Sequence, residues 1–87
     1  MIVIKTQGGL KYELWMNGKK FFFRRGYFLS GPIVKFYEDI KIGGALNIDY
    51  IADGGSISHL RTPSISDIVI QLEDLQNSVV TENVDKV

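Results

Sequence analysis

Aromatic and cationic residues alternate with apolar ones along a single short segment, residues 10–25. Aromatic rings can stack on nucleic-acid bases, and cationic groups beside them can contact phosphates. Arginine can also bind one phosphate through two N–H groups at once, which lysine cannot do. This combination predicts a surface that binds a phosphate-bearing ligand, either a nucleotide or a short single-stranded nucleic acid. The predicted ligand-binding residues are Lys11, Trp15, Lys20, Phe22 and Arg24.

These five residues share a surface only if residues 10–25 form a β-hairpin. Asn17-Gly18 separates two apolar, aromatic runs, and both residue types tolerate positive φ, which predicts a type I′ turn. That turn sets the pairs Met16–Lys19, Leu14–Phe21, Tyr12–Phe23 and Leu10–Arg25. Because side chains alternate between faces, one face is apolar and should point into a core. It comprises Leu10, Tyr12, Leu14, Met16, Phe21 and Phe23.

The opposite face is the basic-aromatic face, defined by the five predicted ligand-binding residues. The same register places Lys11 opposite Arg24, Glu13 opposite Phe22 and Trp15 opposite Lys20. Three uses of this face remain open: binding a ligand, associating with another protein or a second copy, and burial beneath a second layer. In the last case Lys20 would pack over Trp15 with a cation–π contribution.

Charge is unevenly distributed along this chain of 87 residues and zero net charge. Residues 1–36 contain seven basic residues and one acidic residue, whereas residues 37–87 contain three basic and nine acidic residues. A basic half favours an anionic ligand, although two oppositely charged halves can also neutralise each other within the fold or across a dimer. Zero net charge disfavours strong binding of duplex DNA.

No sequence pattern predicts an enzyme. The chain has no cysteine and one histidine, which disfavours a disulfide or a transition-metal site. The glycine pairs lack the lysine and helix of a phosphate-binding loop, so no cofactor is expected. If Asp53-Gly54-Gly55 forms a three-residue hairpin loop, Asp49 faces His59 and Asn47 faces Arg61. A cross-strand contact is the favoured interpretation of His59, ahead of acid–base catalysis.

Short strands joined by glycine-rich turns predict a single small all-β domain over residues 1–78. About six strands are expected, forming a small antiparallel barrel or sandwich, with Ser30-Gly31-Pro32 as a break before a strand near 33–38. Residues 65–72 fit a strand best, followed by a short helical turn through Leu75, although a helix starting at Pro63 also fits. Residues 79–87 are expected to form a frayed acidic tail.

Two segments resemble a loose group of very short β-rich proteins from phages and prophage-bearing bacteria. They are VIKTQGGLKYEL at 3–14 and RTPSISDI at 61–68. The resemblance implies an accessory protein of phage or mobile-element origin, and it carries no catalytic residues over. A phage protein with this face could sequester a host defence signal, which would make it a counter-defence protein. The alternative is an inhibitor or adaptor that docks on a host protein.

Location and assembly follow from the same composition. Lack of cysteine suits the cytoplasm, which would be the host cytoplasm for a phage protein, and no apolar run is long enough for a signal peptide or a membrane span. A short chain with five Phe, four Tyr and one Trp has more apolar surface than one small core uses. A homodimer or higher homo-oligomer is therefore expected, with the basic half of one copy against the acidic half of the other.

Overall fold

Seven antiparallel strands build one sheet in the computed structural model, which describes residues 1–71. The strands are β1 (Ile2–Thr6), β2 (Lys11–Asn17), β3 (Lys20–Arg25), β4 (Leu29–Phe36), β5 (Asn47–Ile51), β6 (Ile57–Arg61) and β7 (Ile65–Ile70). Their order across the sheet is β6-β5-β4-β3-β2-β1-β7. The predicted all-β antiparallel fold is confirmed, with seven strands where about six were expected.

The hairpin at 10–25 is confirmed, but its register differs from the predicted one by two residues. Its two-residue turn is Gly18-Lys19, because Asn17 pairs with Lys20. Only Gly18 has positive φ there (66°), which is the pattern of a type II′ turn with glycine at the first central position. A shift of two residues keeps each side chain on its predicted face. Tyr12, Leu14 and Phe23 are buried as expected, whereas Leu10 and Met16 are exposed.

Strand β4 changes its partner at Gly31-Pro32. Its first half pairs with β3, from Leu29 to Pro32, and its second half pairs with β5, from Ile33 onward. Proline has no N–H to donate, so it fits the position where pairing passes from one neighbour to the next. Gly31 lets β5 cross closely, because a Cβ there would lie 2.2 Å from the Ile51 carbonyl oxygen. The predicted break at Ser30-Gly31-Pro32 is thus a bend within a continuous strand.

This bend folds the sheet around one apolar core. The core side chains come from six of the strands and the segment before β5: Ile4, Tyr12, Leu14, Phe23, Ile33, Leu46, Ile48, Tyr50 and Ile65. Phe23 and Tyr50 meet edge to face across the bend, with ring centroids 4.8 Å apart. Backbone hydrogen bonds between Ile65 and residues 43–44 connect the start of β7 to the opposite end of the sheet. We call the side facing this core the inner face and the other side the outer face.

Within residues 1–71 the sheet is strongly bent but is not closed into a barrel, since β6 and β7 form its two edges and do not pair. The strand predicted near 65–72 is confirmed over Ile65–Ile70, and no helix occurs within residues 1–71. The second hairpin has its predicted three-residue loop at 53–55, with Asn47 opposite Arg61 and Asp49 opposite His59. The predicted helical turn through Leu75, the domain end at 78 and the tail at 79–87 lie outside the described residues.

Candidate functional site

The basic-aromatic face lies on the outer side of β2 and β3, and its two aromatic residues are direct cross-strand neighbours. Trp15 pairs with Phe22, whereas the predicted register had placed Lys20 opposite Trp15. The two rings are nearly parallel, at 16°, with centroids 6.0 Å apart. Both residues are partly exposed. The corrected register therefore gives a continuous aromatic platform in the middle of the hairpin.

Arg24 lies beside this platform and forms an ion pair that the predicted register did not contain. Its Nε and Nη2 donate to Glu13 Oε1 at 3.2 and 2.9 Å. The guanidinium carbon lies 5.8 Å from the centroid of the Trp15 ring, so the cation–π contact of Trp15 is with Arg24 and not with Lys20. Since Glu13 occupies one edge of the guanidinium, Arg24 has fewer free N–H groups for a phosphate than the sequence suggested.

The two lysines of the face lie at opposite ends of the platform. Lys20 follows the turn, two residues before Phe22, and Lys11 starts β2, four residues before Trp15. At roughly 3.3 Å per residue these separations are about 7 and 13 Å. Both lysines are exposed. Lys5, which sequence reasoning did not select, pairs directly with Lys11 through β1. The turn at Gln7-Gly8-Gly9 is the sequence signal that could have identified this pair.

Within residues 1–71 Trp15 and Phe22 take no part in the apolar core, and both side chains remain partly exposed. Burial of Trp15 and Phe22 beneath another part of this region is thus not observed. A cavity of about 480 Å³ opens between β3 and β4 near the turn of the hairpin, and its lining includes Lys19, Lys20, Lys35 and Pro32. Trp15 and Phe22 do not line it, although Pro32 is the cross-strand partner of Phe22. Within residues 1–71 its charged lining residues are all cationic.

A second polar cluster lies on the outer side of β4, β5 and β6. The Tyr37 hydroxyl donates to Asp49 Oδ2 at 2.6 Å, and His59 Nδ1 lies 2.8 Å from Asp49 Oδ1. The rings of Tyr37 and His59 meet edge to face at 5.1 Å, and Lys35 Nζ lies 4.4 Å from the Tyr37 ring centroid. The predicted Asp49–His59 contact is confirmed, and Tyr37 and Lys35 are the members that sequence reasoning missed.

Hydrogen bonding accounts for the shifted pKa values in this part of the molecule. The Tyr37 hydroxyl, and then the His59 ring, hold the pKa of Asp49 below its ordinary value. The same bond to Asp49 raises the pKa of Tyr37. Nearby, the Asn47 side-chain amide and the Ala45 N–H bond to Glu38 and lower its pKa. These carboxylates are thus stabilised by their neighbours.

The described residues contain no group of three or more His, Cys, Asp or Glu side chains that could hold a metal ion. Over the same range, no helix is long and apolar enough to cross a membrane. Comparison of the chain with protein-family models, with curated proteins and with solved structures finds no match. The resemblance to phage accessory proteins therefore stays a prediction.

Proposed function

We propose that the chain is a non-enzymatic binding module that captures a phosphate-bearing ligand on its basic-aromatic face. The ligand is a nucleotide signal or a short single-stranded nucleic acid. The observation that carries this proposal is the Trp15–Phe22 platform, two nearly parallel rings on the outer face that remain partly exposed within residues 1–71. Aromatic rings on a sheet surface stack on bases, at about 1–3 kcal/mol per base.

Cations around the platform supply contacts for the phosphates. Lys11 and Lys20 are exposed at its two ends, Lys5 lies beside Lys11, and Lys19 lies in the turn next to Lys20. Arg24 has a different role, because its bond to Glu13 holds the guanidinium beside the Trp15 ring. We propose that Arg24 orients the stacking surface, while the lysines make most of the phosphate contacts. In a phage setting the captured ligand would be a host defence signal, and the protein would act in counter-defence.

Fluorescence of Trp15, the sole tryptophan, tests the proposal directly. We expect quenching on titration with nucleotides or oligonucleotides, and affinity that falls as salt rises, since phosphate contacts release counterions. Phe22→Ala should weaken binding by about tenfold, which is the loss of part of one stacking contact. Absence of quenching across mono-, di- and cyclic nucleotides and single-stranded oligonucleotides would exclude this function.

Lys20→Glu and Lys41→Glu make a matched pair of charge reversals. Both lysines are exposed, but Lys41 lies in the segment between β4 and β5, away from the platform. Lys20→Glu should weaken binding and flatten the salt dependence, while Lys41→Glu should leave both nearly unchanged. An equal effect of the two changes would show that net charge governs the interaction, and not this surface.

The alternative function is that of an inhibitor or adaptor that docks on a host protein through the same face. Tryptophan and arginine are favoured at the centres of protein interfaces, and here they lie in contact. This alternative predicts that a purified host protein is retained by wild-type protein and lost with Phe22→Glu, while nucleotides cause no Trp15 quenching. Quenching that a nucleotide produces with no second protein present favours the first function.

A further inference from the structure

The turn between β3 and β4 carries the most exposed aromatic side chains of the described residues. Tyr27 is 100% and Phe28 is 91% exposed. The turn is formed by Gly26, whose φ is 57°, and β4 begins at Leu29, directly after the two rings. We call Tyr27 and Phe28 the aromatic tip. Aromatic side chains usually bury most of their large apolar surface, so two adjacent rings that contribute nothing to this core indicate a surface for binding.

The aromatic tip lies at the end of the strand that carries the platform. Phe22 and Tyr27 are five residues apart, which corresponds to up to about 16 Å, with about 10 Å of it along β3 as far as Arg25. Cationic groups lie between them. Arg24 is on the outer side of β3, and continuing the β2–β3 register places Lys11 level with Gly26. The order along the hairpin is therefore platform, cations, aromatic tip.

This order matches a polymer in which bases and phosphates alternate, and it does not match a single nucleotide. A mononucleotide that stacks on Trp15 and Phe22 cannot also reach a ring about 16 Å away. At about 3.4 Å per stacked base that span corresponds to roughly five nucleotides.

We infer that the ligand is a single-stranded nucleic acid that lies along β3, with one base on the Trp15–Phe22 platform and another on the aromatic tip. Its backbone passes Arg24 and Lys11. This inference rests on the proposed function and narrows its ligand from nucleotides in general to a strand of roughly four to six nucleotides. Such a length is at the lower end of site sizes known for small β domains.

A length series tests this inference. Trp15 fluorescence is titrated with thymidine monophosphate and with oligothymidylate and oligouridylate strands of increasing length. Affinity should rise with length and level off at about six nucleotides, in at least one of the two polymers. Equal affinity for DNA and RNA supports recognition through stacking and phosphate contacts, and preference for RNA supports an added contact to the 2′-hydroxyl.

The double variant Tyr27→Ser/Phe28→Ser tests the aromatic tip separately from the Trp15–Phe22 platform. It should bind the six-nucleotide strand about tenfold or more weakly, as expected for the loss of one base stack, and bind the monophosphate as wild type does. Met16→Ser is the matched control, because Met16 is an exposed apolar residue near the opposite turn of the hairpin. Circular dichroism verifies that each variant retains the β fold.

Three results would overturn the inference, and they differ in what they imply for the proposed function. The first result is quenching by the monophosphate with no gain in affinity for longer oligonucleotides, or with no effect of the aromatic-tip variant on their binding. It would leave a nucleotide-binding module and exclude a single-stranded nucleic acid as the ligand. Absence of quenching by every ligand would exclude both this inference and the proposed function. An equal loss of monophosphate and strand binding in the aromatic-tip variant would show that the tip acts through the fold of the hairpin.

Discussion

The hairpins β2–β3 and β5–β6 both carry charged and aromatic residues on their outer sides, and they differ in how those groups are satisfied. In β5–β6, Asp49 bonds with both Tyr37 and His59, and Glu38 nearby accepts two N–H groups. In β2–β3 the only side-chain ion pair is Arg24–Glu13, counted within residues 1–71, and the flanking lysines are exposed.

This difference shows why residue types alone do not identify a site. Histidine, aspartate and tyrosine in contact suggest catalysis, yet their hydrogen bonds run mainly to one another and hold three elements of the outer surface together. Lysines around bare rings have fewer partners within the chain, so a ligand can supply contacts that the fold does not. The β5–β6 region is consistent with a structural role, and the β2–β3 region is the better candidate for binding.

The largest expected effect on stability comes from introducing a charge on the inner face of β3, compared with the same charge on its outer face. Phe23 is 0% exposed and contacts Tyr50, so Phe23→Glu buries an unpaired carboxylate and should unfold the domain, at a cost of about 4 kcal/mol or more. The side chain of residue 22 points to the outer face, so Phe22→Glu should leave the hairpin folded. Circular dichroism and urea unfolding compare the two variants. Similar unfolding by both would contradict the assignment of faces.

The second-largest effect on stability is expected at Gly31, where β4 passes from pairing with β3 to pairing with β5. A Cβ at this position would lie 2.2 Å from the Ile51 carbonyl oxygen, so Gly31→Ala must push β4 and β5 apart. We expect a loss of about 1–3 kcal/mol in the free energy of unfolding. Ser30→Ala, an exposed neighbour in the same strand, is the control and should change stability by less than about 0.5 kcal/mol. Equal urea midpoints for the two variants would exclude the close crossing.

The hydrogen-bonded cluster of the β5–β6 region should make part of the stability depend on pH. The pKa of Asp49 is lower in the folded protein than its ordinary value of 3.8. Its stabilising contribution is therefore complete above that value and is lost as pH falls through the folded pKa. Asp49→Asn should reduce the difference between urea midpoints at pH 7 and in acid.

Asp67→Asn is the control for this measurement, since Asp67 is exposed on β7 and its side chain makes no hydrogen bond within residues 1–71. We expect it to retain the acid sensitivity of the wild type. Retention of that sensitivity in Asp49→Asn as well would show that other carboxylates are responsible, with Glu38 the first to examine because its pKa is also lowered.

The smallest expected effect concerns association through the β2–β3 region. We predict a homodimer in which the basic-aromatic face of one copy lies against the acidic half of the other, so Phe22→Glu should shift the protein toward monomer with little change in stability. Light scattering coupled to gel filtration measures the shift. The same face binds the proposed ligand, and a saturating oligonucleotide should therefore also reduce the dimer fraction. A monomeric wild type, or a Phe22→Glu variant that stays dimeric, contradicts this interface.

Local patterns predicted the hairpins because each depends on a few adjacent residues. Alternation over residues 46–50 and the glycine loop at 53–55 gave the right faces and the right Asp49–His59 pair. The register predicted from Asn17-Gly18 was wrong, because Gly18 also suits the first position of a type II′ turn, and both turn types are common in two-residue hairpins. The difference in register changes the cross-strand neighbours in the candidate site, since Trp15 pairs with Phe22 and Glu13 with Arg24.

The remaining features depend on contacts between distant parts of the chain. Ser30-Gly31-Pro32 has the composition of a loop, and only the arrival of β5 at Ile51 explains why it continues a strand. Neither the order of strands across the sheet nor the placing of β7 beside β1 follows from any local signal. The aromatic tip was visible as two aromatic letters after a glycine, but its exposure depends on which residues fill the core.

The pairing of β1 with β7 has a consequence for the time course of folding. Ile2 pairs with Ile70, and the backbone of Met1 exchanges hydrogen bonds with Gln71. Hairpins that close over a few residues form in about 1–10 μs, whereas contacts across most of the chain must await a large loss of conformational freedom. We therefore expect β7 to dock last. Until it does, the edge of β1 is open, and the nascent domain is most vulnerable to pairing with another chain during that interval.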